Sequence, residues 1–208
     1  MRVFLVRHGQ TAWNAERRYQ GHTDIPLDET GLAQAQLLPA AFAHRPVTRI
    51  LVSDLGRARM TAEPLASTMS VPIVTRHDLR ERCIGDWEAR PMEEVARFFR
   101  DAETASGLSR EEVRPPNGES MVDVWNRMEA VAHDIESYAE PQAVVIHGGS
   151  GAMLLARLLR ASVFTARSFR FDNGSITTIA RRDDGGFHLV GYNDSAHVLG
   201  TPREPDGR

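Results

Sequence analysis

Two histidines stand where apolar runs stop. Val3-Phe4-Leu5-Val6 runs into Arg7-His8-Gly9, and Ala143-Val144-Val145-Ile146 runs into His147-Gly148-Gly149. Short apolar runs bounded by a turn signal read as buried strands. Both imidazoles are therefore expected at strand C-termini, where open α/β sheets bind their ligands. Arg57 follows a third apolar run, Ile50-Leu51-Val52, and Asn14 lies in the polar loop after the first. Gly148-Gly149 should open a helix, whose free N–H groups and dipole favour an anion. Together these groups form a set of donors, and guanidinium forks match the oxygens of a phosphoryl group. Phosphoryl transfer needs placement and stabilisation of charge. It also needs an in-line nucleophile, which a neutral imidazole can be, and a carboxylic acid to protonate the leaving alkoxide.

Other chemistries fit less well. The chain has eight histidines, and His8, His22 and His147 could be imagined on zinc. Arginines beside a dication would be repelled, and no His-Glu-x-x-His spacing occurs, so neither metal nor cofactor is expected. The single cysteine, Cys83, rules out an internal disulfide and a thiolate zinc cluster. Gly148-Gly149-Ser150-Gly151 lacks the Lys-Ser/Thr pair of a P-loop. Ala152 stands where a Gly-x-Ser-x-Gly elbow would need its last glycine. The net charge of −3 argues against nucleic acid as the main partner. No stretch approaches the roughly 18 apolar residues of a membrane span. The first apolar run is too short for a signal segment, so a cytoplasmic protein is expected.

The elements that must position these groups can be read in order. The 208 residues, 41% hydrophobic and 25% charged, suit one globular domain with a real core. We expect it over 1–200, with a flexible tail at 201–208. A functional loop runs from Gly9 to about Leu27. Asp28 then reads as an N-cap, with Glu29 in the first turn. Leu32, Ala35, Leu38 and Phe42 follow at helical spacing, and Pro39 is expected to kink or end that helix. After Ile50-Leu51-Val52 comes a helix bearing Ala58, Ala62, Leu65, Ala66 and Met69, with Pro64 inside it. Val71-Pro72-Ile73-Val74 reads as an edge strand. Residues 77–118 are densely charged, with a helix at about 92–103 and a turn at Pro115-Pro116-Asn117-Gly118; they read as a cap-like insertion. Met121, Val124, Trp125, Met128, Val131, Ala132, Ile135 and Tyr138 then trace one helix face. Ser175–Ala180 and Phe187–Tyr192 flank Asp183-Asp184-Gly185-Gly186 as a hairpin. The alternation predicts a three-layer α/β sandwich, a mostly parallel central sheet with helices on both faces. The amphipathic helices do not distinguish core from interface, which leaves monomer and homodimer both open.

Nine blocks, in order along nearly the whole chain, resemble the histidine phosphatase superfamily, the phosphoglycerate mutase-like group. They are Leu5 to Asn14, Tyr19-Gln20-Gly21, Leu27 to Ala35, Ser53 to Ala58, Leu79-Arg80-Glu81, Gly85 to Glu88, Pro116 to Ser120, His147-Gly148-Gly149 and Tyr192-Asn193-Asp194. The resemblance implies that His8 is the histidine that becomes phosphorylated. It implies that Arg7, Arg57 and His147 complete the phosphate pocket, with Asn14 and the Gly148 backbone as accessory contacts. Glu81 matches the acid that protonates the leaving group and later activates water; Asp86 and Glu88 are neighbouring alternatives. Gln20 and Gly21 lie where relatives touch the substrate beyond the phosphate. His22, His44, His77, His133, His188 and His197 read as ordinary polar residues, and Glu119 as a cap of the following helix.

Two positions depart from the pattern. Many relatives have a hydroxyl residue where Ile146 stands, and often glycine where Ala89 stands. Within 82–116 there are six arginines but no lysine, and the segment reads as short and acidic. The mutase insertion pattern is absent, so the resemblance points to the phosphatase branch. That implies a metal-independent phosphomonoesterase acting on a small phosphorylated metabolite. Mutase-type transfer and a non-catalytic module binding a phosphorylated ligand are the alternatives. Phosphomonoesterase turnover is expected to persist in excess chelator; its abolition would restore a metal-dependent reading.

Overall fold

In the computed structural model, residues 1–198 are described; the expected tail at 201–208 and the domain's last two residues lie outside them. The strands are β1 (Arg2–Arg7), β2 (Arg49–Ser53), β3 (Ile73–Arg76), β4 (Gln142–Ile146), β5 (Ile176–Arg181) and β6 (Phe187–Asp194). They form one sheet in the order β3-β2-β4-β1-β5-β6. The first three pairings are parallel, and the β1–β5 and β5–β6 pairings are antiparallel. Around the sheet lie α1 (Ala12–Ala15), α2 (Glu29–Ala41), α3 (Gly56–Met69), α4 (Met92–Ser106), α5 (Met121–Ser137) and α6 (Gly148–Leu158). This is the expected α/β sandwich.

β1 is apolar without alternation because both its faces are covered. Val3 and Leu5 join a core cluster with Val124, Met128 and Val131 of α5 and Leu154 and Leu155 of α6. Phe4 and Val6 join an opposite cluster with Leu38 of α2, Phe42 just beyond it, and Ala58, Ala62 and Leu65 of α3. Phe4 meets Phe42 edge-on, with ring centroids 5.3 Å apart. The helices that follow β1 and β4 therefore pack on opposite faces. Their diverging loops open a crevice at the strand C-termini, the topological switch point of such sheets.

Register carries the rest. In the parallel β1–β4 ladder Arg7 pairs with Ile146, so the next residues, His8 and His147, emerge side by side. β2 pairs with β4 from the other side and delivers Ser53 to the same end. β5 runs antiparallel to β1, which brings Asn173 to Ser175 in beside His8.

Several local expectations need correction. Leu32 is exposed, so the buried face of α2 is carried by Ala35 and Leu38. Pro64 lies inside α3, as expected, and the helix runs on past it. It lies off the buried face, and the packing of Ala62, Leu65 and Ala66 outweighs the lost N–H. Pro72 precedes β3 rather than lying within it, although β3 is an edge strand. The cap of α5 is Ser120, in a capping box with Asp123, and Glu119 points elsewhere.

Ile84, Val95, Phe99 and Val113 of the 77–118 segment bury against one another in a third small cluster. In the same segment Ala89 adopts φ 65, the left-handed region in which a Cβ costs roughly 1–2 kcal/mol. Ala89→Gly is therefore expected to stabilise the protein by about 1 kcal/mol. The check is the urea unfolding midpoint, and an unchanged or lower midpoint contradicts the strain.

Candidate active site

His8 is almost completely buried, and its main chain is held from three sides. Its N–H donates to Ile146 O at 3.0 Å, and its carbonyl accepts from Asn173 Nδ2 at 3.0 Å. The Gly9 N–H donates to Thr61 Oγ1 at 3.0 Å. His8 Nδ1 lies 2.7 Å from Gly9 O. A carbonyl oxygen can only accept, so Nδ1 carries the proton and Nε2 keeps its lone pair. Burial, then the charges of Arg57 and Arg7, hold the His8 pKa well below its ordinary 6.5. The ring is neutral at physiological pH.

His147 is the counterpart, with its ring centroid 4.9 Å from that of His8. Arg57 Nε donates to His147 Nδ1 at 3.2 Å, so the proton of this ring sits on Nε2, facing Ser53 Oγ at 2.9 Å. Burial lowers its pKa well below 6.5, with help from Arg57 and His8. Both ring nitrogens are engaged by protein, and His147 is fully buried behind the cleft wall. Ile146 turns its side chain into the core. The hydroxyl that orients His147 therefore comes from Ser53 on the neighbouring strand.

Arg57 sits in the first turn of α3 and is 1% exposed. Besides His147 it donates to Thr23 O and Gly21 O, each at 2.9 Å. Three of its five N–H groups are used, leaving two. Burial pulls its pKa down to about 10, so it remains a cation near neutrality. Arg7 donates from Nη1 to Phe171 O at 2.6 Å. Asn14 accepts at Oδ1 from the Thr11 N–H and from Asn173 Nδ2, both at 3.2 Å. That orients its amide, and the residue lines the cleft.

The loop carrying Gln20 and Gly21 is built on Glu88, whose carboxylate accepts from the His22 N–H at 2.8 Å and the Thr23 N–H at 3.0 Å. Gly21 has φ +53, and a Cβ there would lie 2.0 Å from Glu88 Oε1, so only glycine fits. Gln20 lines the cleft, with its buried Oε1 unpartnered among the described residues. Asp86 pairs outward with Asn117. Of the three candidate acids only Glu81 lines the cleft. Its carboxylate spans the start of α6, accepting from the Gly149 N–H at 2.8 Å and the Ser150 N–H at 2.9 Å. A Cβ on Gly149 would lie 2.6 Å from Glu81 Oε1.

The cleft encloses about 550 Å³, and arginines dominate its charged lining: Arg7 and Arg57 within, then Arg17, Arg18, Arg82, Arg110, Arg167 and Arg170. Among the described residues Glu81 is the one carboxylate of the lining. The other acids of the 77–118 segment are not among the lining residues: Glu111 pairs with Arg167 at 3.0 Å, and Glu103 with Arg110 at 3.3 Å. Arg82 and Arg110 stack on Phe99, at 4.6 and 4.9 Å from its centroid. A segment acidic in composition thus shows the cleft a cationic face. Among the described residues no group of three or more His, Cys, Asp or Glu side chains could hold a metal ion, and no helix is long and apolar enough to cross a membrane. The arrangement presents a neutral imidazole lone pair beside fixed guanidinium donors, a geometry that can receive a phosphoryl dianion.

Eight of the nine residues singled out from the sequence line this cleft, and His147 lies directly behind it. Sequence reasoning missed Asn173, which ties His8 to Asn14, and Ser53, which orients His147. It also read His22 as an ordinary polar residue, whereas its Nε2 donates to Glu81 O at 2.9 Å. Ser53 opens one of the matching blocks but has no role read from it, and Asn173 and His22 lie in none of them.

A family model described as histidine phosphatase superfamily (branch 1) matches residues 3–195. The protein named "Probable phosphoglycerate mutase GpmB" from Yersinia pestis is 33% identical over 205 residues, covering 95% of each chain. Among solved structures, the alpha-ribazole phosphatase of Shigella flexneri superposes with a TM-score of 0.81 at 29% identity, covering 93% of this chain and 96% of its own. A mycobacterial glucosyl-3-phosphoglycerate phosphatase superposes with a TM-score of 0.81 at 31% identity, covering 93% and 99%.

The buried imidazoles make stability depend on pH. In the unfolded chain both ionise near 6.5, and in the fold both stay neutral to well below that. Below about pH 6.5 the unfolded chain binds more protons, so stability falls as pH falls, by about 1.4 kcal/mol per pH unit for each such group. His22 and His197 are shifted in the same direction. Urea midpoints measured between pH 7 and 5 should fall steadily, and His8→Ala should flatten the slope by about one group's share. An equal slope in both proteins contradicts the buried neutral His8.

Proposed function

The chain belongs to the histidine phosphatase superfamily, and from that premise we propose that it is a metal-independent phosphomonoesterase acting on a small phosphorylated metabolite through a phosphohistidine on His8. The observation that carries the reading is the His8–Gly9 hydrogen bond, which leaves Nε2 unprotonated between Arg7 and Arg57. In the first step Nε2 attacks phosphorus. The two guanidinium groups and Asn14 hold the equatorial oxygens, and the phosphorus–oxygen ester bond breaks. Glu81, protonated and rotated off the α6 N-terminus, gives its proton to the leaving alkoxide. In the second step Glu81, now a carboxylate, takes a proton from water as the water attacks phosphorus. The nitrogen–phosphorus bond breaks, inorganic phosphate leaves, and His8 returns neutral. The phosphatases among its structural neighbours support hydrolysis, and the intact set of His8, Arg57 and Glu81 argues against a merely binding role.

Mutase-type phosphoryl transfer is the second reading, and one observation favours it. Six arginines outside the phosphate clamp line the cleft, three of them (Arg18, Arg110 and Arg167) already ion-paired, and the other three could grip a second anionic group. The relative named for phosphoglycerate mutase points the same way. With 3-phosphoglycerate and a bisphosphate primer, release of free phosphate supports the phosphatase and formation of 2-phosphoglycerate the mutase.

His8→Ala should abolish turnover of p-nitrophenyl phosphate, and equal activity in variant and parent rules out His8 as nucleophile. Glu81→Gln should lose most activity on alkyl phosphates and far less on the nitrophenyl ester, whose leaving group needs no proton. Equal losses on both argue against Glu81 as the acid. The need for a neutral His8 predicts that kcat/KM falls only when pH drops well below 6.5, where the buried ring is protonated.

A further inference from the structure

Glu81 has to serve two positions, the N-terminus of α6 and the leaving oxygen, and the surroundings of its main chain bear on how it does so. One guanidinium on α5 reaches both ends of the turn that carries it. Arg127 Nη1 donates to Asp78 O at 2.7 Å, and Nη2 donates to Glu81 O at 2.9 Å. The same guanidinium is gripped by Glu119, with Nε on Oε1 at 2.9 Å and Nη2 on Oε2 at 3.0 Å. Glu119 Oε2 also accepts from the Cys83 N–H at 2.9 Å, and His22 Nε2 adds a second donor to Glu81 O. The main chain is thus tied before, at and after Glu81. Arg127 and Glu119 have side chains only 19% and 21% exposed, and neither lines the cleft.

We propose that Arg127, held by Glu119, is the positioning residue of the proton donor. It fixes the Asp78–Cys83 main chain as a rigid pivot, so that only the Glu81 side chain moves between its two positions. The proposal rests on the reading of Glu81 as the acid. An Arg side chain is needed because its planar fork can meet two carbonyls and a carboxylate at once, which a lysine ammonium cannot do at these separations. Misplacing a reacting group by about 1 Å can lower a rate on the order of 100-fold. Slack in this pivot should therefore fall on the proton-transfer step and spare phosphate binding.

The test compares an alkyl ester, 2-glycerol phosphate, with p-nitrophenyl phosphate in Arg127→Lys, Glu119→Gln and Glu81→Gln. For Arg127→Lys we expect kcat/KM, which reports the phosphorylation step and not the shared hydrolysis of the phosphohistidine, to fall about 10- to 100-fold on the alkyl ester. On the nitrophenyl ester kcat/KM should fall less than about threefold. Glu119→Gln should show the same selectivity with a smaller loss. Equal losses of kcat/KM on both esters in Arg127→Lys overturn the positioning role while Glu81→Gln remains selective. If Glu81→Gln itself shows no selectivity, the acid assignment falls and this inference falls with it. Arg127→Lys keeps the positive charge opposite Glu119, so the comparison does not depend on a variant that strands a half-buried carboxylate.

Discussion

The parallel pairing of β1 with β4 is the constraint on which the site depends. Arg7 lies opposite Ile146, so two histidines from opposite ends of the chain leave the sheet at the same level. Both strands are buried on both faces, and a slip of one residue would turn every apolar side chain toward the wrong cluster. The register is therefore enforced by the whole core, including Phe4 against Phe42 on one face and Leu5 and Val144 against α5 and α6 on the other. Ser53 and Asn173 arrive from the next strands on either side. The site is a consequence of sheet order, and its precision is that of the packed core beneath it.

Burial then sets the electrostatics. Arg57 is enclosed, yet among the described residues no carboxylate is bonded to it; backbone carbonyls of Gly21 and Thr23 receive its N–H groups. Carbonyls orient the guanidinium without cancelling its charge. The same burial lowers the Arg57 pKa to about 10 and keeps both imidazoles neutral. A neutral imidazole and permanent cations thus coexist because desolvation and cation–cation repulsion act together against protonation of the rings. The unmet demand of the cleft is for negative charge, which an incoming phosphate supplies.

On the proposed reading, Glu81 serves fold and chemistry in turn. Its carboxylate caps the N-terminus of α6 at Gly149 and Ser150, an arrangement that suits an anion at the positive end of a helix. Donating a proton requires the opposite charge state and a different place. The surrounding hydrogen bonds separate these demands. The main chain is held by Arg127 and His22, and the side chain is held by three N–H groups, those of Gly149, Ser150 and the adjoining Arg82.

Much of the fold was legible along the chain. Continuous apolar runs marked β1, β2 and β4, and the face of Val124, Met128, Val131 and Ile135 marked α5, because these patterns report directly which sides of an element are covered. Single residues at element ends were harder. Leu32 fits helical spacing but faces solvent, and Ser120 rather than Glu119 caps α5, since each choice depends on what lies across the gap. In the site, His8, Arg7, Arg57, Asn14 and Glu81 stood out because they sit in ordered blocks at strand and helix ends. By itself the sequence determined which strand ends carry the imidazoles and the inner arginines. Only the tertiary structure decided which His8 nitrogen keeps a lone pair, which of three acids faces the cleft, and that the acidic segment presents arginines. The last two rest on contacts such as Ser150 to Glu81 and Arg167 to Glu111, between residues 69 and 56 positions apart, and the first on the geometry the fold gives the His8–Gly9 hydrogen bond. A hydrogen bond has a direction in space that no spacing along the chain encodes.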